Sequence, residues 1–305
     1  MRKITLTNDF RRNRTSFENS KAAFIKFCKL KNLTERTIEF YEEDLMYLQN
    51  YVNAKYLDEI TQETLDDFIL EELDKGRRTT TLNTRLRGLR VFFKFCAERE
   101  YMEELSIKLL KDDAELKEPY TDAELRKLLV RPKSNRWNEY RSWAMINYLV
   151  ATGNRARTIV NIKISDVNFD ENTIHLRAMK NRHQQIIPLS PALKEVLEEY
   201  LSSWKWSFDD YLFPTHTGTQ LSLRSFQQAI RKYNAARGVS KTSIHLFRHT
   251  FAKNFILAGG GLVQLQMLLG HSTLEMTRHY VNLYGADLSR NIERLNPLDN
   301  IKRAT

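Results

Sequence analysis

Four places in the second half of the chain carry groups that can bind an anion or move a proton. ATGNRART sets Arg155 after a Thr-Gly turn, and MKNRHQQIIPL sets Lys180 at a turn between two short extended runs. HLFRH places His245 and Arg248 three positions apart, neighbours on one helical face. LGHSTLEMTRHYVNL holds His271 and, nine positions on, Tyr280. A guanidinium offers a planar, permanently charged fork that matches two oxygens of an anion. A phenol, with a pKa of about 10, is a weak nucleophile unless a base or a strongly positive setting helps it. Taken singly, each group also has an ordinary explanation. Arg155 could cap a helix, Lys180 could be an exposed turn residue, and His245 could be a satisfied core histidine. Tyr280 is one of 13 tyrosines and could be a core aromatic with its hydroxyl at the surface.

Composition sets the frame for these groups. The 305 residues exceed a usual single domain, so two domains are expected. Lys and Arg total 48 against 38 Asp and Glu, a net charge of +10 that favours polyanionic partners, nucleic acid first. The amino terminus lacks the apolar block of a secretion signal, and no apolar run approaches the ~20 residues of a membrane span. A cytoplasmic, nucleoid-associated protein with no membrane partner is expected. Cys28 and Cys96 each sit inside an apolar helical stretch, which suits buried thiols in a reducing compartment.

The elements that must position the reactive groups follow from periodicity. Residues 1–14 read as a basic flexible tail and 15–105 as a helical domain. In TTTLNTRLRGLRVFFKFC, Leu82, Leu86, Leu89 and Phe93 form a core-facing stripe. Arg87, Arg90 and Lys94 repeat on another face, with Arg77 and Arg78 just ahead. That face could follow a phosphate backbone, although a solvated helix face has the same pattern. Residues 106–119, polar and poor in apolar anchors, read as a linker.

The second domain, 120–305, opens where Thr121 can cap a helix with Glu124 completing a capping box. A turn at 170–172 and a second at 180–183 separate short extended runs that end in the strand QQIIPL. Ser190 caps the next helix, with Pro191 at its first position. Three helical segments follow, LSLRSFQQAIRKYNAAR, SIHLFRHTFAKNFILAG and LVQLQMLLGH. Tyr280 lies on a fourth helix, expected to start near Ser272 or Thr273. The expected fold class is mainly α with a small antiparallel sheet. The glycines at 259–261 exceed the one that a turn between helices needs, and the sequence suggests only flexibility for the extra ones.

Together the four segments resemble the tyrosine site-specific recombinases, the family of phage integrases and Xer-type resolvases. TGNR resembles the family's first box, MKNRHQQIIPL its β-hairpin lysine segment, HLFRHTFA its second box, and LGH ahead of tyrosine its last. The motifs cover 121–283, and 15–105 match the family's helical core-binding, SAM-like domain in layout alone. The resemblance implies an α/β catalytic domain in which Tyr280 attacks a DNA phosphodiester, leaving a 3′-phosphotyrosyl link and a free 5′-hydroxyl. It implies that Arg155 and Arg248 grip the nonbridging oxygens and that His245 is the general base. His271 would bond the phosphate or position the tyrosine, and Lys180 would be the general acid. Arg77, Arg78, Arg87, Arg90 and Lys94 would contact DNA. It further implies duplex recombination sites clamped between two domains, a homotetramer acting through a Holliday junction, and exchange of a C-terminal segment at about 286–305. Accessory DNA-bending or directionality proteins fit the same scheme. No cofactor and no metal are expected, because the phosphotyrosyl bond conserves the energy of the bond broken.

One position departs from the family pattern: Thr158 stands where an acidic residue usually follows the first-box arginine. It favours a rival reading, a DNA-binding regulator that has lost the reaction. A zinc site is a second rival, since His245 and His249 are four apart on a helix. Leu246 occupies the position where that motif needs glutamate, however, and no third ligand has a usual spacing. A type IB topoisomerase shares the chemistry, but there a lysine usually takes the place of His245.

Overall fold

A computed structural model describes residues 14–111, 118–134, 136–177, 184–203 and 205–284. The chain divides into two compact units, Met1–Leu116 and Lys117–Thr305. No helix among the described residues is long and apolar enough to cross a membrane.

The first unit is built from four helices, α1 (Phe17–Leu30), α2 (Glu35–Val52), α3 (Gln62–Asp74) and α4 (Thr79–Glu98). Ser16, Thr34 and Thr61 cap the first three, each hydroxyl accepting from a main-chain N–H one turn on. The expected stripe on α4 is buried, Leu82, Leu86, Leu89 and Phe93 each at 1% exposure or less. Each such side chain contributes about 1.5–3 kcal/mol to the core. Around them Phe24 meets Phe92 edge-on at 5.4 Å and Phe95 at the same distance. Cys28 and Cys96 are free thiols buried in this core, and burial pushes the Cys96 thiol up to about 12.

Part of the stretch expected as a linker is fixed to this unit. Asn83 brackets Leu110 with two hydrogen bonds, donating to its carbonyl at 2.9 Å and accepting from its N–H at 2.8 Å. Gln62 accepts from the Ser106 N–H, and Ile107 is 7% exposed. Side-chain amides thus anchor a segment whose own apolar content is low.

The second unit is organised around α6 (Trp137–Thr152), whose buried residues run from Arg141 to Thr152 on nearly every side. It follows α5 (Asp122–Leu129), where Thr121 and Glu124 form the expected reciprocal capping box at 3.2 and 2.8 Å. After α7 (Ala156–Ile159) comes a three-stranded antiparallel sheet in the order β1 (Val167–Asn168), β2 (Thr173–Leu176), β3 (Gln185–Pro188). Ile174 pairs with Ile187 and Leu176 with Gln185, which turns Ile174, Leu176 and Ile187 inward. Then come α8 (Pro191–Ser202), capped by Ser190, and α9 (Leu223–Ala236). The unit ends with α10 (Ile244–Leu257), α11 (Leu262–Leu269) and α12 (Glu275–Tyr284). The core of α6 packs against α8, α9 and α10.

The glycine run between α10 and α11 has a specific geometry. Gly259 has φ +86°, a conformation that costs a side chain dearly. A Cβ on Gly260 would collide with the Phe255 ring, and Gly261 caps α11. Close packing and backbone geometry, more than flexibility, account for these residues. The last helix starts at Glu275, later than expected, because Leu274 supplies the carbonyl that accepts its first hydrogen bonds.

Candidate active site

The site forms where α7, α10 and the α11–α12 connection meet in the second unit. Gly153 closes α6 in the left-handed region, φ +60°, and a Cβ there would lie 2.7 Å from the Phe251 ring. The chain then reverses, so that Arg155 becomes the residue that opens α7. Arg155 donates from Nη1 to the carbonyls of Gly270 at 3.2 Å and Leu269 at 3.5 Å. Arg248, 6% exposed on α10, donates to the carbonyls of Gly153 at 3.1 Å and Leu269 at 2.8 Å. Both arginines therefore meet on the C-terminal carbonyls of α11, the partially negative end of a helix.

Main-chain carbonyls orient a guanidinium without neutralising it. Among the described residues neither arginine has a carboxylate partner. Burial, with the Arg155 charge beside it, holds the Arg248 guanidinium down to about 10. Arg155 is lowered too, chiefly by burial, with Tyr280 acting in the opposite direction. The pocket is thus a pre-arranged positive site to which none of the described residues brings a carboxylate.

Tyr280 is 5% exposed and packs with Ala252, Leu265 and Leu269. Its hydroxyl lies beside the Arg248 guanidinium. Burial raises the phenol's pKa, while the Arg248 charge and hydrogen bond, and then Arg155, pull it back. Two imidazoles flank the ring. His271 is parallel to it at 6.2 Å between centroids, and His249 is tilted at 5.4 Å. His271 Nδ1 lies 2.8 Å from Thr277 Oγ1, and burial, aided by Arg248 and Arg155, depresses the ring to about 4. His271 is therefore neutral near physiological pH.

The structure brings Arg155, Arg248, His271 and Tyr280 together. His245 lies exposed on the first turn of α10, one turn before Arg248. Lys180 lies outside the described residues, as does the C-terminal segment at 286–305. Thr158 is buried within α7. His249, which completes the second-box resemblance directly after Arg248 but was not among the expected catalytic residues, is half-buried against the Tyr280 ring. No group of three potential ligands among the described residues is placed to hold a metal ion.

In the first unit, Arg78, Arg87, Arg90 and Lys94 are exposed on or just before α4. Arg90 donates to the Ile107 carbonyl, and Lys94 lies 3.9 Å from Glu98. Arg77 is paired at 3.3 Å with Glu72, a carboxylate that also accepts from Tyr47 and lies within reach of Lys75. Part of the expected basic face is therefore engaged within the unit.

The sequence model of the Phage integrase family matches residues 120–286, more than half of the chain. The chain belongs to the phage integrase family. The family's N-terminal SAM-like domain matches residues 24–100. A tyrosine recombinase XerD from Staphylococcus haemolyticus is 25% identical over 287 residues, covering 90% of this chain and 97% of the relative. Among solved structures, the Tn1549 transposon integrase in complex with transposon right end DNA shares the fold. It has a TM-score of 0.77 at 20% identity, over 92% of this chain and 99% of that one. A lambda integrase tetramer bound to a Holliday junction is similar with a TM-score of 0.70 at 16% identity, over 88% and 78% of the two chains. This integrase-family chain is a tyrosine recombinase, an enzyme of site-specific DNA recombination.

Proposed function

We propose that Tyr280 is the nucleophile of a metal-independent strand exchange on duplex DNA. The Tyr280 oxygen forms a bond to phosphorus at a scissile phosphodiester as the bond to the 5′-oxygen breaks, leaving a 3′-phosphotyrosyl link. The phenolic proton passes to His245, and the departing 5′-oxygen takes a proton from Lys180. Reversal with a 5′-hydroxyl from the partner strand restores the phosphodiester, and a Holliday junction is the intermediate between two such exchanges. Arg155 and Arg248 hold the nonbridging oxygens, where each donor is worth ~10²–10³ in rate. A His271 ring that accepts from Thr277 at Nδ1 presents Nε2–H as a further donor to the phosphate.

The observation that carries this reading is the pair of guanidiniums, with no carboxylate partner among the described residues, converging beside the buried Tyr280 of the same chain. A phosphate placed there supplies the missing negative charge. The deciding experiment is covalent capture on a nicked duplex. Tyr280→Phe is expected to keep DNA binding and lose the covalent adduct, and an adduct formed by the variant would overturn the assignment.

We further propose a homotetramer on paired sites, serving a mobile-element integrase or transposase or a Xer-like resolvase. In this reading the segment at about 286–305 of one protomer docks on a neighbour. An open apolar groove between β3 and α11, with Ile186, Met267 and Phe255 on its walls, is a suitable acceptor. Truncation after Gly285 is then expected to weaken assembly on paired sites more than binding to one site. Equal loss of both would count against docking. Accessory DNA-bending or directionality proteins, and residence at the nucleoid, belong to the same proposal.

A further inference from the structure

The amino-terminal end of α6 opens into a second basic cavity. No side chain caps this helix, because the residue at the cap position is Arg136. N–H groups of the first turn therefore keep hydrogens to give, at the partially positive end of the helix. Here a cavity of about 750 Å³ lies between the start of α6 and one face of α9. Arg136, Trp137, Arg141, Lys232 and Arg237 are on its walls, and Glu139 is the one carboxylate among the described lining residues. Glu139 is paired with Arg237 at 2.9 Å. Arg136, Arg141 and Lys232 form no salt bridge among the described residues.

Arg141 is the deepest of these cations, at 6% exposure. Its guanidinium lies over the Trp137 ring, 4.5 Å from the centroid. Nη1 donates to the Pro214 carbonyl, and the buried Nε has no partner among the described residues. Burial lowers the guanidinium's pKa, with Tyr200 opposing. A buried cation held only by neutral groups is costly, and an anion beside it relieves that cost. The cavity is also remote from the catalytic pocket. Arg248 holds the Gly153 carbonyl at the other end of α6, and the 16 residues of that helix span roughly 24 Å.

We propose that this cavity is a second anion site, which binds the phosphate of a small phosphate ester. Cations in excess of acids match a dianion, and a helix amino terminus adds N–H donors for its oxygens. Arg141 sits below the surface, where a small molecule can reach it and a double helix is too broad to follow.

The test follows the Trp137 indole N–H signal of the full chain by NMR, assigned with Trp137→Phe, during titration with inorganic phosphate and with adenosine monophosphate. Both are expected to shift the signal saturably. Lys232 is exposed, so its replacement leaves the fold intact. Lys232→Gln is expected to weaken both ligands by ~10-fold, and Lys232→Arg to bind nearly as the wild type does. Arg155→Ala, which alters only the catalytic pocket, should bind as the wild type does. No saturable shift, or equal affinity in Lys232→Gln and the wild type, would overturn the site. Loss of the shift in Arg155→Ala would place the binding in the catalytic pocket instead. A cavity that takes inorganic phosphate and refuses the monophosphate would overturn the ester. A short duplex that competes with phosphate for the Trp137 signal would assign the cavity to the DNA backbone and overturn the small ligand.

Discussion

The Arg248 guanidinium stands beside the Tyr280 oxygen, where its charge opposes the rise that burial imposes on the phenol's pKa, while it also donates to the Gly153 and Leu269 carbonyls. One side chain thus joins the end of α6, the end of α11 and the proposed nucleophile. Lysine has the charge but lacks the planar fork that lets Arg248 take two carbonyls from two nitrogens at once. Arg248→Lys is expected to lower single-turnover cleavage by ~10²–10³. Arg248→Ala should also destabilise the fold by about 1–3 kcal/mol through the unpaired carbonyls. Rapid-quench capture and urea melts measure the two effects, and a lysine variant as fast as wild type would refute the shared role.

His271 predicts a pH dependence of stability. Its ordinary pKa of 6.5 is depressed to about 4 by burial and by the two arginines. Between those values the unfolded chain takes up a proton that the folded ring refuses. Stability is therefore lost as pH falls from 6.5 towards 4 and is constant above. Allowing for partial solvent screening, the loss is about 2 kcal/mol. His271→Gln, which does not titrate, should show a smaller fall in urea midpoint between neutral pH and about pH 4.5. Parallel curves for the two proteins would show that the ring is not the source.

Asp44 predicts the opposite slope in the first unit. Its carboxyl is 6% exposed, one oxygen lacks a partner among the described residues, and Arg85 approaches only to 3.9 Å. Burial pushes its pKa to about 6, with Arg85 opposing and Glu43 adding. The folded state then keeps a proton that the unfolded chain releases, so stability is lost as pH rises from 3.8 through 6. Asp44→Asn removes this cost and should gain about 2 kcal/mol above pH 6 and nothing near pH 4. A variant less stable than wild type at about pH 8 would mean that the buried charge is compensated. Gly88 meets the same carboxylate: a Cβ there would collide with Asp44, so Gly88→Ala should be destabilising despite alanine's higher helix propensity.

What the sequence revealed and what it concealed have different physical origins. Caps at Thr121 and Ser190, and the stripe from Leu82 to Phe93, are local and periodic, and they were legible. So were Arg155, Arg248, His271 and Tyr280, because their order and local settings resemble a known family. The carbonyl cluster at the end of α11 was not. It joins side chains to main-chain atoms 82 or more positions away in the case of Gln185 and Arg155, and such bonds impose no period. Nor did Asn83 on α4 announce that it would hold Leu110. Gly260 looked redundant until the Phe255 ring filled the space beside it.

The basic residues of the first unit separate into two kinds by their partners. Arg87 is exposed on α4, whereas Arg77 pairs with a Glu72 side chain that is 3% exposed and also bonded by Tyr47. A cation that neutralises a DNA phosphate releases about one counterion, so log K changes with log salt by about 0.9 for each contact. Arg87→Ala is expected to weaken binding across sequences and to lower the salt slope by about 1, with the urea midpoint unchanged. Arg77→Ala should instead lower the midpoint, because it removes a cation beside a buried carboxylate that Lys75 and Tyr47 then hold alone. Its effect on the salt slope should be smaller than that of Arg87→Ala. Binding isotherms at several salt concentrations, read alongside the melts, distinguish the two residues. Equal slopes for the variants would show that Glu72 does not keep Arg77 from the phosphates.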